Sequence, residues 1–302
     1  MIYYPEGIND ELCKTFGNMD EVRLAMQNGD IIEGRVLLCD SEHNLHLDLG
    51  IIRGIIPRLE GALEISEANR KDIALISRVN KRVAFKIVAL RRDEQGMEYA
   101  VLSRRIVQLE AMRDYISKLK QGDIIGAKVT HLESFGAFID IGVGINSLIP
   151  IDMLSVSRIS SPAERVGVNQ IIRCVLKKQE PNKLTFSLKE LLGTWEENCA
   201  KFAVGETVTG IVRSIESYGV FVELAPNLAG LAEPCDSLEV GQSVSVFIKS
   251  IIPDKMKIKL VIVEAFDEKA GLMPLNYYIS DEHISYWRYS PENAKKLIET
   301  SL

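Results

Sequence analysis

Short runs of alternating apolar and polar residues fill most of this 302-residue chain, the period-two pattern of strands with one face on a core. Between 122 and 190 the runs 123–132, 135–141, 147–150, 171–179 and 183–188 predict strands, punctuated by Gly136, Gly142 and Gly144, with Pro181-Asn182 as the last turn. The same order returns at 207–215, 218–224, 230–232, 243–252 and 257–263, with Pro253-Asp254 at the matching turn. The pattern changes to helical spacing at 104–121, where Ile106, Leu109, Met112, Ile116 and Leu119 form an apolar stripe expected to pack on a neighbouring barrel. Asp114 and Lys118 are placed for an i,i+4 pair, and Gly122 for a stop. A second helix is expected within 9–28, with Val22, Leu24 and Met26 as its apolar positions. The joint 190–203 is shorter and holds Gly193, so it is expected to hinge, with Trp195 packed in it. The tail carries Tyr277, Tyr278, Tyr286, Trp287 and Tyr289 beside Arg288; five aromatics so close together are expected to pack on the third repeat. The stretch 291–302 predicts a short amphipathic helix with Ala294, Leu297 and Ile298 inward.

The recurrence is an internal repeat. Gly122-Asp123-Ile124-Ile125-Gly126-Ala127-Lys128-Val129 followed by Ser134-Phe135-Gly136-Ala137-Phe138-Ile139-Asp140-Ile141 matches Gly205-Glu206-Thr207-Val208-Thr209-Gly210-Ile211-Val212 followed by Ser217-Tyr218-Gly219-Val220-Phe221-Val222-Glu223-Leu224. Each copy sets one aromatic before a turn glycine and a second three residues on. Both rings can flank one shallow surface, and exposed aromatics on a small barrel stack unpaired bases for about 1–3 kcal/mol per base. The alternative, rings in the core, stays open at this point, more so for Phe138 and Phe221 than for Phe135 and Tyr218. A weaker copy opens the chain, Gly29-Asp30-Ile31-Ile32-Glu33-Gly34-Arg35-Val36 and then His43-Asn44-Leu45-His46-Leu47-Asp48. Its two stacking positions hold histidines, expected to be solvated loop residues; no further ligand at the right spacing supports a metal site.

These repeats resemble the RNA-binding domain named after ribosomal protein S-one, an OB-type barrel. The joints resemble that family too: Leu102-Ser103-Arg104-Arg105 with a helix and Gly122-Asp123, and Phe186-Ser187-Leu188-Lys189 through Trp195-Glu196-Glu197-Asn198 to Lys201-Phe202-Ala203-Val204-Gly205-Glu206. The resemblance covers 29–264. It implies a mainly β chain of three tandem five-stranded OB-fold barrels joined by short helices, with a helical N-terminal segment and an aromatic-rich C-terminal tail. The expected limits are 1–28 for that segment, 29–105 for a degenerate first domain, 106–121 for a linker helix, 122–190 for the second domain, 191–203 for a linker, 204–264 for the third domain and 265–302 for the tail. A basic residue precedes the last strand in the family, and Lys183 and Lys257 hold that place. The implied RNA-binding residues are therefore Phe135, Phe138, Lys183, Tyr218, Phe221 and Lys257. The chain departs from the pattern where a histidine commonly follows the third strand, having Pro57, Pro150 and Glu233, and it has Tyr99 where the first copy needs its base. Degenerate leading domains of the family tend to dock on protein, which is the expectation for 29–105.

A net charge of −6 argues against a nucleic-acid binder. The acidity is uneven: 122–190 holds 8 basic and 7 acidic residues, with bases at Arg158, Arg165, Arg173, Lys177 and Lys178, while 205–264 holds 5 and 8. Binding is then expected to lean on stacking, with a shallow salt dependence. The five cysteines are scattered, without Cys-x-x-Cys, and read as reduced thiols. No signal-peptide pattern opens the sequence, and no apolar run approaches the roughly 18–20 residues of a membrane span, so a cytoplasmic chain is expected. Phosphate-loop, zinc-protease and nucleophile-elbow motifs are absent. Asp140, Asp152 and Glu223 read as solvated rim carboxylates, not as a two-metal site.

The expectation is a non-enzymatic, monomeric single-stranded RNA binder without cofactor or metal. Its expected partners are mRNA in translation and the small ribosomal subunit, with no membrane involved. Two alternatives stand beside it: a protein-docking module with little RNA affinity, and an RNA-processing enzyme or its subunit.

Overall fold

Period-two alternation becomes closed sheet. A computed structural model describes residues 3–66, 72–180, 183–235 and 237–302; the expected Pro181-Asn182 turn lies outside them. Two compact units divide the chain, Met1–Leu119 with Asp140–Asn146, and Lys120–Ile139 with Ser147–Leu302.

The first unit opens with helix α1 (Met19–Asn28), capped by Asn18 and ended by Gly29 in the left-handed region. Strands β1 (Ile32–Cys39), β2 (Leu45–Asp48), β3 (Arg53–Ile56), β4 (Arg82–Arg92) and β5 (Glu98–Ser103) close into a barrel in the order β1-β2-β3-β5-β4. Val36, Leu45, Leu47, Ile56, Phe85 and Leu102 point inward and are fully shielded or nearly so. A short helix α2 (Ile73–Ile76) lies between β3 and β4, and α3 (Arg104–Asp114) follows β5.

Five strands repeat that order among the later residues: β6 (Ile124–Glu133), β7 (Gly136–Asp140), β8 (Asn146–Pro150), β9 (Ile171–Glu180) and β10 (Lys183–Ser187), with α4 (Ile151–Leu154) after β8. After α5 (Trp195–Cys199), a third barrel is built from β11 (Thr207–Glu216), β12 (Gly219–Ala225), β13 (Leu228–Ala232), β14 (Gln242–Ile252) and β15 (Lys257–Lys269). Closure leaves these three barrels without an open edge among the described residues. The register sets which side chains share an outer face. Phe221 pairs with Leu231 and Leu231 with Lys259, while Leu148 pairs with Thr185 and His46 with Ile55. Lys257 and Lys183 stand two residues before Lys259 and Thr185, hence on the same faces.

Several expectations are corrected. The N-terminal helix is confined to α1 and a single 3-10 turn at Asp10–Leu12, and Leu24 is exposed whereas Val22 and Ala25 are buried. Helix α3 buries Arg104, Val107, Gln108 and Ala111, not the expected stripe, and exposes Ile106 and Leu109. The cause is charge: buried Glu6 binds Arg104 through Nε at 2.7 Å and Nη2 at 3.0 Å, and this pair turns the helix about its axis. Asp114 pairs with adjacent Arg113 at 2.7 Å instead of Lys118.

The expected hinge in the joint 190–203 is packed over its first ten residues. Glu190, Leu191, Leu192 and Trp195 are buried, Asn198 donates to the Leu192 carbonyl at 2.8 Å, and Thr194 with Glu197 forms a capping box on α5. Residues 291–302 do not form a helix. β16 (Tyr286–Arg288) and β17 (Glu299–Ser301) pair as a hairpin instead, because burying Trp287 and Tyr289 in the third barrel's core holds this chain extended.

Asp140 and Glu223 are not solvated. In the first unit, Asp140 accepts from Glu6 N at 2.8 Å and from Gly142 N and Gly144 N. Burial, with repulsion from Glu6, pushes its carboxyl pKa up to about 6. Nearby Glu33, which accepts from Gly7 N at 3.0 Å, is pushed by burial up to about 7. In the second unit, Glu223 is fully buried between Arg165 and Arg213, the latter donating through Nε at 2.7 Å. Glu164 adds a second carboxylate to Arg213 at 3.3 Å.

Candidate nucleic-acid interface

The aromatic-glycine turn has a division of labour. A Cβ on Gly136 or Gly219 would collide with the carbonyl oxygen of Ile149 or Ala232, so only glycine lets the second strand start there. The ring before each glycine is left outside: Phe135 is 54% exposed and Tyr218 64%. Phe138 and Phe221 are partly exposed and meet those rings edge to face, at 5.9 Å and 84° in one pair and 6.2 Å and 88° in the other. Neither pair is core.

In the third barrel the site is a groove. Tyr218, Phe221 and Lys257 line one cavity of about 430 Å³ together with Lys255, Lys296 and Arg158. In the second barrel Lys183 is exposed at the start of β10, and His131 of β6 stacks on Phe138 at 6.3 Å and 28°. His131 was not legible as a site residue; alternation along β6 was the only signal for it. Thus the structure brings Tyr218, Phe221 and Lys257 together, and places Phe135 beside Phe138.

The basic cluster expected in the second repeat is largely consumed by the fold. Arg165 is 1% exposed in its pair with Glu223. Arg173 donates to the carbonyls of Ile279 and Asp281, Lys177 to that of Ser301, and Lys178 pairs with Glu180 at 2.6 Å. Arg158 is exposed and, among the described residues, forms no ion pair. Lys255, Lys257 and Lys296 share that condition.

The first barrel's matching face differs. His46 Nε2 lies 2.8 Å from Asp40, and His43 lies 3.6 Å from Asp72, which also holds Arg58 at 2.6 Å. Although burial raises it, Asp40 is drawn down to about 2 by hydrogen bonds from His46 and Asn44. Arg53 pairs with Asp93 and lies over Tyr99 at 5.5 Å from the ring centre. The histidines are therefore not simply solvated, as expected, but engaged by acids. Among the described residues no group of three or more His, Cys, Asp or Glu is arranged to hold a metal.

A five-stranded barrel with exposed aromatics on its second strand fits a nucleic-acid-binding module, and residues 118–189 match the family described as the S1 RNA binding domain. The chain is 30% identical over 255 residues to the small ribosomal subunit protein bS1 of Staphylococcus aureus, covering 78% of this chain and 62% of that one. It is 31% identical over 206 residues to the bS1 homolog of Bacillus cereus, covering 62% and 53%. Residues 118–189 thus carry the match to the S1 RNA binding domain, and the chain is similar to the bS1 proteins over most of its length. The matched part spans roughly half to three fifths of those relatives. A crystal structure of a multidomain protein with nucleic acid binding domains from Streptococcus pneumoniae is 13% identical, with a TM-score of 0.26 over 78% of this chain and 74% of that one; a likeness this slight carries no argument.

Proposed function

We propose that the chain is a non-enzymatic single-stranded RNA-binding protein of three tandem OB-type S1 domains, limited at 29–105, 122–190 and 204–264, with an aromatic-rich tail. Its partners are mRNA and the small ribosomal subunit, in the cytoplasm, and it acts in translation as a monomer. Phe135, Phe138 and Lys183 read RNA on the second domain, and Tyr218, Phe221 and Lys257 on the third. The carrying observation is the Tyr218–Phe221 pair sharing one groove with Lys257, a base that forms no ion pair among the described residues. Rings stack bases of any identity while the lysine meets phosphate.

Fluorescence anisotropy of a labelled single strand of about twelve nucleotides, titrated with the intact chain at low and near-physiological salt, tests this reading. Micromolar or tighter binding with a shallow salt dependence is expected. Phe135→Ala with Phe138→Ala weakens it at least about tenfold while the fold survives. Unchanged affinity in a folded double variant removes the site assignment, and no binding at low salt removes the function.

A second reading concerns 29–105 alone. Its stacking positions are histidines engaged by acids, which favours protein docking over RNA for this domain. Recovery of ribosomes after nuclease treatment by the intact chain, lost when 29–105 is mutated on its surface, is the expected outcome.

A further inference from the structure

Two neighbouring cavities of the second unit, each of about 430 Å³, share Val156, Ser157, Arg158, Lys296 and Ile298 in their linings. One opens on Tyr218, Phe221, Lys255 and Lys257, and the other runs along α4 to Lys189. Together their walls hold five bases, Arg158, Lys189, Lys255, Lys257 and Lys296, against two acids, Glu216 and Asp152. In a chain with a net charge of −6 this is a local excess of three positive charges.

Lys296 comes from the tail, and its loop is pinned. Ser290 Oγ donates to the Lys296 carbonyl at 2.7 Å and accepts from Ile298 N at 2.8 Å. The hairpin beneath is held by Tyr289, whose hydroxyl donates to the Asn227 carbonyl and whose own carbonyl accepts from Trp195 N at 2.9 Å, and by Thr300 on Glu190 at 2.9 Å. Arg158 stands on the long segment between β8 and β9, where the third barrel has only a short connection. Leaving exposed cations uncompensated on a fixed loop gains nothing for the fold. It does provide a preorganised site for phosphates.

Building on the RNA-binding reading above, we propose that the tail completes the site: Lys296 and Arg158 bind the backbone phosphates of a single strand whose bases stack on Tyr218 and Phe221, so the strand continues from the third barrel's face along α4. The second barrel's insert and the C-terminal hairpin thus act as one phosphate clamp.

The test compares the intact protein, Arg158→Gln with Lys296→Gln, and Tyr218→Ala with Phe221→Ala, each titrated into labelled oligouridylate of about twelve nucleotides at several salt concentrations. The charge variant is expected to bind about tenfold more weakly at low salt. Its slope of log affinity against log salt is expected to shrink by about 1.4, at about 0.7 per phosphate contact. Unchanged affinity and slope, with binding weakened in the aromatic variant, overturns the clamp and leaves the RNA-binding reading standing. Lost affinity with an unchanged slope also overturns it, since phosphate contacts must alter the slope. An intact protein that binds no RNA removes both readings. Both substituted side chains are exposed without ion pairs, so an unchanged melting temperature is expected of the charge variant.

Discussion

The first and third barrels share one strand order and place corresponding residues on one outer face, yet they use that face in opposite ways. In the third, Tyr218 is exposed and Phe221 partly so, and Lys255 and Lys257 form no ion pair among the described residues. In the first, His43 and His46 occupy those places, and Asp40, Asp72 and Asp93 hold the nearby bases and imidazoles. The carboxylate near the end of the second strand is reversed as well: Glu223 is fully buried between two arginines, whereas Asp48 is exposed and accepts from Gly50 N at 2.9 Å. A barrel whose polar groups satisfy one another on its surface has little left for a polyanion, while one that keeps its ion pairs inside frees its exterior. Interface chemistry is thus set by where charges find their partners more than by how many there are.

The largest expected effect tests the reversed carboxylate. Glu223→Ala leaves Arg165 and Arg213 buried without their main counter-charge and is expected to cost the second unit about 3–5 kcal/mol. Asp48→Ala, at the matching position, is expected to cost about 0.5–1 kcal/mol through its turn bond. Urea denaturation measures both, and similar costs would break the comparison. Next, Tyr218→Ala with Phe221→Ala is expected to weaken RNA binding by tenfold or more, at about 1–3 kcal/mol per stacked base. His43→Ala with His46→Ala is expected to leave it unchanged within about twofold; a large loss there would make the first barrel an RNA reader after all.

The third expectation is smaller and confined to the first unit. Glu33 is raised from 4.5 to about 7 and Asp140 from 3.8 to about 6, in each case chiefly by burial. A raised carboxyl holds its proton in the folded state at pH values where the unfolded chain has released it. The stability is therefore present in acid and is lost as pH rises from the unfolded value through the folded one. The melting temperature of the first unit is expected to fall by a few degrees between about pH 4 and 7. Glu33→Gln should flatten the upper part of that decline, leaving the part due to Asp140. A decline of the same size in Glu33→Gln would show that this carboxyl is not its source.

Strands, repeats and the exposed aromatic pairs were legible because alternation and a glycine next to a ring are local signals. The joint helix at 104–114 was legible as a helix but not in its orientation. An apolar count assigns Ile106 and Leu109 inward, and only the burial of Glu6, 98 residues from Arg104 in sequence, turns the arginine to the core. Arg165 and Arg173 counted toward a basic cluster for the same reason: a guanidinium in a sequence carries no mark of the carboxylate or carbonyl it will meet. The expected helix at 291–302 failed because its spacing suited either structure, and the pocket for Trp287 and Tyr289 favoured an extended chain.

By itself the sequence determined the elements, their threefold recurrence and the two stacking pairs, all of which follow from spacing within a few residues. Tertiary structure alone decided which charges are neutralised, that the first part of the joint 190–203 is buried, and that Lys296 and Arg158 line one groove. Those outcomes depend on pairings between distant residues, and a charge's free energy is set by the partner and the burial that folding supplies.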